Sequence, residues 1–421
     1  MKVIDAGLNL GEFLRPGDRI VLGHACGEPT TLVEALLAQA AGIGGLSAFL
    51  ATSFSGLLTP EATAGLEVLS MGAIGALRTL TRAHRLGVIP CHVGQIGPMI
   101  EAGLIGCDVA FVQVSAADAE GNHSLGLVSD YTRAAVARAR VVVAEVNERV
   151  PFTYGERLAA AEIDYAVPIS RQPVEVPSAA IGETDQAIAK NAAAYVEDGS
   201  VLQIGIGAVP DAFLRLLRDR RDLGVHSGML GDGLVDLAEA GVITNARKPI
   251  DRGVSVTGTL IGTRRLHEFA HRNPGIRMCD TSYTHEAAVL ARLDKLVTVN
   301  SALEVDLTGQ VNAEQTGSDY LGGTGGQVDF VRAGARSPGG HAIIALPATA
   351  RGGTVSRITA RLSGPVTTAR SEVDVIVTEF GAAELKGQPL AERARRLTAI
   401  AHPGFREELE REAALIQRRR F

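Results

Sequence analysis

Tryptophan is absent from this 421-residue chain, and aromatic residues make up only 4% of it. Packing must therefore rest on Ala, Val, Leu and Ile, while the 48 glycines supply tight turns between short elements, a balance that suits α/β folds with parallel sheets. Cysteine is scarcer still. Cys26, Cys91, Cys107 and Cys279 are widely spaced with no CxxC pair, which argues against a disulfide framework or a zinc site and points to buried thiols in a cytosolic protein. No run of eighteen apolar residues occurs, and the segment from Met1 to Pro16 lacks a basic stretch leading into an apolar one, so neither export nor membrane insertion is expected. Positive charge is not in excess: the net charge of -6 offers no field for a polyanion and argues against a nucleic-acid partner. What is present, 46% hydrophobic and 21% charged residues, is the composition of a folded globular protein long enough for two cores.

The first half alternates strands with helices. RIVLGHACGEP, residues 19–29, reads as an apolar strand ending in a polar turn, and TTLVEALLAQA follows with leucines at helical spacing. Further strands are expected at 46–51, 88–92, 109–114 and 141–146, an alternation that implies parallel pairing through right-handed crossovers. Residues 114–126 (VSAADAEGNHSLG) leave a strand end where open α/β sheets bind ligands, although plain turn chemistry gives the same pattern. Prolines gather between Pro168 and Pro177, and a linker there places a boundary near 180, giving domains of residues 1–180 and 181–421. VLGHACGEPTTLVEALL and VLQIGIGAVPDAFLRLL each run from a Val-Leu strand through glycine and proline into an amphipathic helix. Pro29 and Pro210 suit a first helical turn, and the likeness favours two similarly built domains.

In the second half, helices are expected at 233–239, 264–270 and 405–419, strands at 254–260, 295–300, 342–346 and 373–379, and a hairpin at Thr308-Gly309. The basic residues before Phe421 fit the negative end of the last helix. The stretch 203–232 concentrates the chemistry. Gly205, Ile206 and Gly207 form a glycine loop whose amides can approach a ligand oxygen, and a short strand delivers His226, Ser227 and Gly228 to the same sheet edge. GGTGGQVDF at 322–330 and GARSPGG at 334–340 are too dense in glycine for a helix interior. They match neither GxxxxGK[ST] nor GxGxxG between strand and helix, but such backbone can wrap a phosphate or a pantetheine arm.

GQVNAEQTG at 309–317, GGQVDF at 325–330, GARSPGGHAIIALPATARGGTVSRI and the closing VTEFGAAELKGQPLAERARRLTAIAHPGFREEL resemble the acetyl-CoA hydrolase/transferase family, and so do QIGIGAVPDA and DGLVDLAEAGVITN. The likeness spans nearly the whole chain and is greatest to the 4-hydroxybutyrate and butyryl-CoA:acetate CoA-transferases. It implies an α/β fold of two open-sheet domains of the CoA-transferase type, acting on acyl-CoA and a small carboxylate, with coenzyme A carried as substrate and no metal or nicotinamide required. CoA would lie across Gln203, Gly205, Ile206, Gly207, Leu303, Gly325, Gly326 and Gln327. A homo-oligomer is expected of an extended enzyme with apolar helices.

In that family a glutamate attacks the thioester to give an anhydride and then a glutamyl-CoA thioester, in a segment reading roughly G-(I/V)-H-(S/T)-E-M. Here the segment reads GVHSGM, with Gly228 at the acid's position. Three readings stay open: a CoA-binding homologue without turnover; another acid in the role, Glu28 first and then Glu304 or Glu314; or water as the nucleophile, hydrolysing a thioester or a carbon-carbon bond of a β-oxo acyl-CoA with His226, His24 or Glu28 as base.

Overall fold

The strand Val109–Ser115 (VAFVQVS) is buried along its whole length, and its side chains alternate between two cores as a strand's period of two requires. Val109 and Phe111 pack with Leu32, Val33 and Leu36 of the helix Thr30–Ile43, while Ala110, Val112 and Val114 pack with Ile96, Ile100 and Ala135 from two helices on the other face. A strand covered on both sides needs no polar face. This is the centre of an eight-stranded sheet, entirely parallel, in the order Lys2–Val3, Tyr165–Ile169, Val141–Asn147, Val109–Ser115, Arg19–Leu22, Ser47–Phe49, Glu67–Ser70, Leu86–Val88. The computed structural model describes residues 1–4 and 7–418; the basic tail at 419–421 lies outside them.

A second sheet repeats the plan, in the order Gly224–Val225, Val201–Ile204, Leu296–Ser301, His341–Ala345, Val375–Thr378, Gly381–Glu384, parallel until its last pair. Ile343, Val375 and Val377 join Ile188 and Phe213 from the helices Glu183–Ala193 and Ala208–Arg215 on one face. Ile344 and Ile376 join Val331 and Leu397 on the other. Pro29 caps its helix and Pro210 stands in the first turn of its own, where a missing amide proton removes no hydrogen bond. The hairpin expected at Thr308-Gly309 joins Glu304–Asp306 to Val311–Asn312. All four cysteines are buried free thiols, and burial pushes Cys26 up to about 12 and Cys91 up to about 11.

Four sequence expectations need correction. The strand placed at 88–92 lies at Leu86–Val88, because His92 already caps the helix Val93–Glu101. The strand at 254–260 breaks into Ser255–Thr257 and Thr259–Leu260. Gly258 is the break, since a Cβ there would lie 2.0 Å from Asp130 Oδ1. The glycine-rich segment is open only as far as Gly326: Gln327–Arg336 is a helix that takes in Gly334, where the backbone passes close to the His341 carbonyl and the Thr298 side chain. Finally, Asn122–Ser124 is held in a hairpin with Arg157–Ala159, and His123 Nδ1 bonds the Ser115 carbonyl at 2.8 Å, so these polar residues serve the loop itself.

The open glycine segment straps the two sheets together. Ala73 N–H donates to the Gly322 carbonyl at 2.7 Å and Val93 N–H to that of Gly325 at 3.0 Å. At Gly72 a Cβ would lie 2.5 Å from the Gly322 oxygen and 2.7 Å from Gly323 Cα, so only glycine permits this approach. Gly72→Ala should cost about 1–3 kcal/mol and raise amide exchange at Ala73 and Val93; an unchanged melting temperature and exchange pattern would contradict this account of the strap.

Candidate active site

The strap closes a cavity of about 170 Å³ between the sheets. Phe54, Met71, Ile74, Ile96 and Phe330 contribute apolar wall, and His24, Asp130, Gln203, His285, Asn300 and Gln327 contribute polar groups. Few polar groups in an apolar cavity is the usual make-up of a small-molecule site. Of the residues singled out in the sequence, Gln203, Gly205, Ile206, Gly228, Gly325, Gly326 and Gln327 line it. Gly207 lines an adjoining cleft of about 500 Å³ that shares Phe54 and Ile206 with the cavity. Its φ of 123° is open in practice to glycine alone. Leu303 lines neither space; its amide donates to the Asn312 carbonyl at 2.8 Å in the hairpin.

Gly228 is held by its neighbours rather than by any conformational demand of its own. Its carbonyl accepts from Gly258 N–H at 3.2 Å and Thr259 N–H at 3.0 Å, and Ser227 before it is fully buried, its hydroxyl donating to the Ile204 carbonyl at 3.0 Å. What Gly228 lacks, another residue fills. A Cβ at Gly228 would lie 2.8 Å from His285 Cε1 and 2.9 Å from Nε2, and a Cβ at Gly326 would lie 2.6 Å from the same Nε2. The imidazole tip sits between the two glycines, against the Phe330 ring at 4.8 Å.

The other candidates have fixed partners. Glu28 is fully buried and lines neither space, with its carboxylate accepting from Ser53 Oγ at 3.0 Å and Ser55 Oγ at 2.6 Å. Burial pushes it above the usual carboxylate range, and the serines pull the other way. Glu304 accepts from Asn312, Ser363 and Gly364, and Glu314 from Tyr320 and Thr367. His226 lies behind Gly228, fully buried, donating from Nε2 to the Thr284 carbonyl at 3.1 Å. Burial first and the Lys248 charge second lower it to about 3.

His24 does face the cavity. Its Nε2 lies 3.0 Å from Asp130 Oδ2 and its Nδ1 3.2 Å from Thr52 Oγ1, with the ring stacked on Tyr131 at 5.0 Å. Asp130 is the only acid among the lining residues. Its Oδ2 also accepts from Thr259 Oγ1 at 2.6 Å, while Oδ1 is buried with no hydrogen-bond partner among the described residues.

Sequence reasoning missed Asp130 and His285. Asp130 lies in a loop with no motif around it. His285 follows the single-turn helix Thr281–Thr284, where neither glycine nor a strand end marks a site. The one usable signal was indirect: a glycine at a chemically important position leaves room that a distant side chain must occupy or solvent must fill.

Residues 69–177 match the N-terminal domain and residues 262–413 the C-terminal domain of the acetyl-CoA hydrolase/transferase family. A 4-hydroxybutyrate coenzyme A transferase of Clostridium kluyveri is 40% identical over 404 residues, spanning 94% of this chain and 93% of that one. The chain belongs to the acetyl-CoA hydrolase/transferase family. Solved structures agree with this assignment. RipA from Yersinia pestis superposes with a TM-score of 0.92 at 35% identity, covering 96% of this chain and 95% of that one. A 4-hydroxybutyrate CoA-transferase of Porphyromonas gingivalis gives 0.84 at 35% identity, covering 100% and 98%. As a member of this family the protein is an enzyme of the CoA-transferase and acyl-CoA hydrolase type, and thioesters of coenzyme A are the substrates of its relatives.

In this acetyl-CoA hydrolase/transferase family member burial keeps two imidazoles neutral, His285 at the cavity wall and His226 behind it. His226 is lowered to about 3 and His285 to about 4, both mainly by burial, from an ordinary 6.5. As pH falls below 6.5 the unfolded chain takes up two protons that the folded one refuses until about 4 or lower. Stability is therefore lost across that window, by ~4 kcal/mol between pH 7 and pH 5. Denaturant titrations at the two pH values should show this loss largely removed in a His226→Gln, His285→Asn double variant; equal losses in both proteins would count against it.

Proposed function

We propose that the protein cleaves acyl-CoA thioesters carrying short acyl groups, with water rather than an enzyme glutamate as the nucleophile. The observation that carries this reading is the bare Gly228 at the cavity wall, with the space in front of it taken by the His285 imidazole at 2.8 Å from a notional Cβ. Glycine offers no carboxylate for an anhydride, and Glu28, Glu304 and Glu314 are bonded elsewhere. The apolar cavity of about 170 Å³ suits a short acyl chain. The glycine loop and the adjoining cleft suit the pantetheine arm and the nucleotide, since open backbone amides bind such oxygens.

A second reading keeps CoA transfer, as in the curated relatives, and moves the nucleophile to Asp130. Asp130 lines the cavity and its Oδ1 has no hydrogen-bond partner among the described residues, which favours it. Its attack on the thioester carbonyl would form an acyl-aspartyl anhydride and release CoA thiolate, which would then attack the aspartyl carbonyl, expelling the acyl group as its free carboxylate and leaving an aspartyl-CoA thioester.

Acetyl-, propionyl- and butyryl-CoA incubated with and without added acetate separate the two. Hydrolysis predicts thiol release at the same rate in both. Formation of a new acyl-CoA that requires the added carboxylate and disappears in Asp130→Asn would overturn hydrolysis in favour of transfer.

A further inference from the structure

We propose that His285 is the catalytic base of this site, its Nε2 removing a proton from the water that attacks the thioester carbonyl; this assignment rests on the hydrolysis reading above. Three observations converge on it. The first is position: Nε2 lies at the wall between Gly228 and Gly326, where a Cβ on either glycine would come within 2.9 or 2.6 Å. The two bare positions together make the room this ring needs.

The second is the tautomer. Thr284 Oγ1 donates its single proton to the Asp280 carbonyl at 3.1 Å, an oxygen that can only accept. The contact between Thr284 Oγ1 and His285 Nδ1 at 2.9 Å admits either ring tautomer; the base form is the one in which Nδ1–H donates to the hydroxyl oxygen and the hydroxyl proton stays directed at the Asp280 carbonyl. That form leaves Nε2 without a proton, and it has no hydrogen-bond partner among the described residues. A bare imidazole nitrogen at a cavity wall is able to accept from water.

The third is charge. Burial lowers His285 to about 4, so the ring is neutral at neutral pH, and the Asp130 carboxylate acts on it in the opposite direction. Asp130 is therefore the anion placed to stabilise the imidazolium as it forms. His24 is committed to Asp130 Oδ2 and Thr52, and His226 is turned to the Thr284 carbonyl. Of the three histidines around the site, His285 alone has a free ring nitrogen at the cavity.

The step balances without any further reactant. Water gives a proton to Nε2 while its oxygen bonds to the thioester carbonyl carbon. The tetrahedral adduct then collapses, the carbon-sulfur bond breaks, and the thiolate of CoA takes the proton back from the imidazolium. The products are the free carboxylic acid, ionised at neutral pH, and CoA thiol.

His285→Gln and His285→Ala, assayed as full chains by thiol release from propionyl- and butyryl-CoA, should lose kcat by about 100- to 1000-fold. KM should stay within about threefold, and added imidazole should restore part of the alanine variant's rate. Gly326→Ala, which crowds Nε2 while leaving every titratable group in place, should lower kcat at least about tenfold; it decides the matter if the histidine variants do not fold. Full activity in a folded His285→Ala protein, with hydrolysis by the parent, overturns the assignment alone. If the parent releases no thiol from any of these acyl-CoAs, the hydrolysis reading fails and the assignment falls with it.

Discussion

The approach of the glycine strap to the first sheet is the contact on which the site depends. Two backbone hydrogen bonds, from Ala73 to Gly322 and from Val93 to Gly325, tie together sheets whose own hydrogen bonds run only within each half of the chain. They require backbone to meet backbone without side chains between, which explains glycine at 72 and 323, while glycine at 322 makes room for the Ala313 carbonyl. The strap then ends at Gly326, the N-cap of the helix Gln327–Arg336, and that helix sets Phe330 and Gln327 at the cavity wall. The turn that fastens the sheets thus also positions one of the two surfaces pressed against His285.

Burial decides the charge states around the cavity. Each carboxylate that sequence reasoning offered as a substitute nucleophile is surrounded by donors: serines for Glu28, a serine, an asparagine and backbone amides for Glu304, a tyrosine and a threonine for Glu314. Such bonding is what a buried acid needs to be tolerated at all, and it leaves those groups no oxygen directed at a substrate. Asp130 differs because one of its oxygens has no partner. His226 and His285 show the converse case, since with little to stabilise a proton inside the fold they stay neutral well below the ordinary range.

Much of the architecture was legible because its signals are local. Strand and helix alternation, the helix-starting prolines and the hairpin at Thr308-Gly309 follow from the period of apolar residues and from turn chemistry over a few positions. The errors arose where a distant group intervened. Asp130 pressed against Gly258 splits what reads as one strand. GARSPGG looks like loop until the carbonyl of His341 and the side chain of Thr298 are found where a Cβ at Gly334 would sit.

For the site, the sequence by itself determined the α/β class, the glycine loop at Gly205 to Gly207, the resemblance to CoA-thioester enzymes and the bare position at Gly228. Each of these is a property of a residue or its immediate neighbours. Only the tertiary structure decided what faces that bare position. Gly228, His285 and Gly326 are separated by 57 and 41 residues, and no local period or motif relates them. All three lie in the second half of the chain and meet only through its tertiary fold, where the His285 imidazole fills the space in front of both glycines, within 2.9 Å of where a Cβ on either would stand.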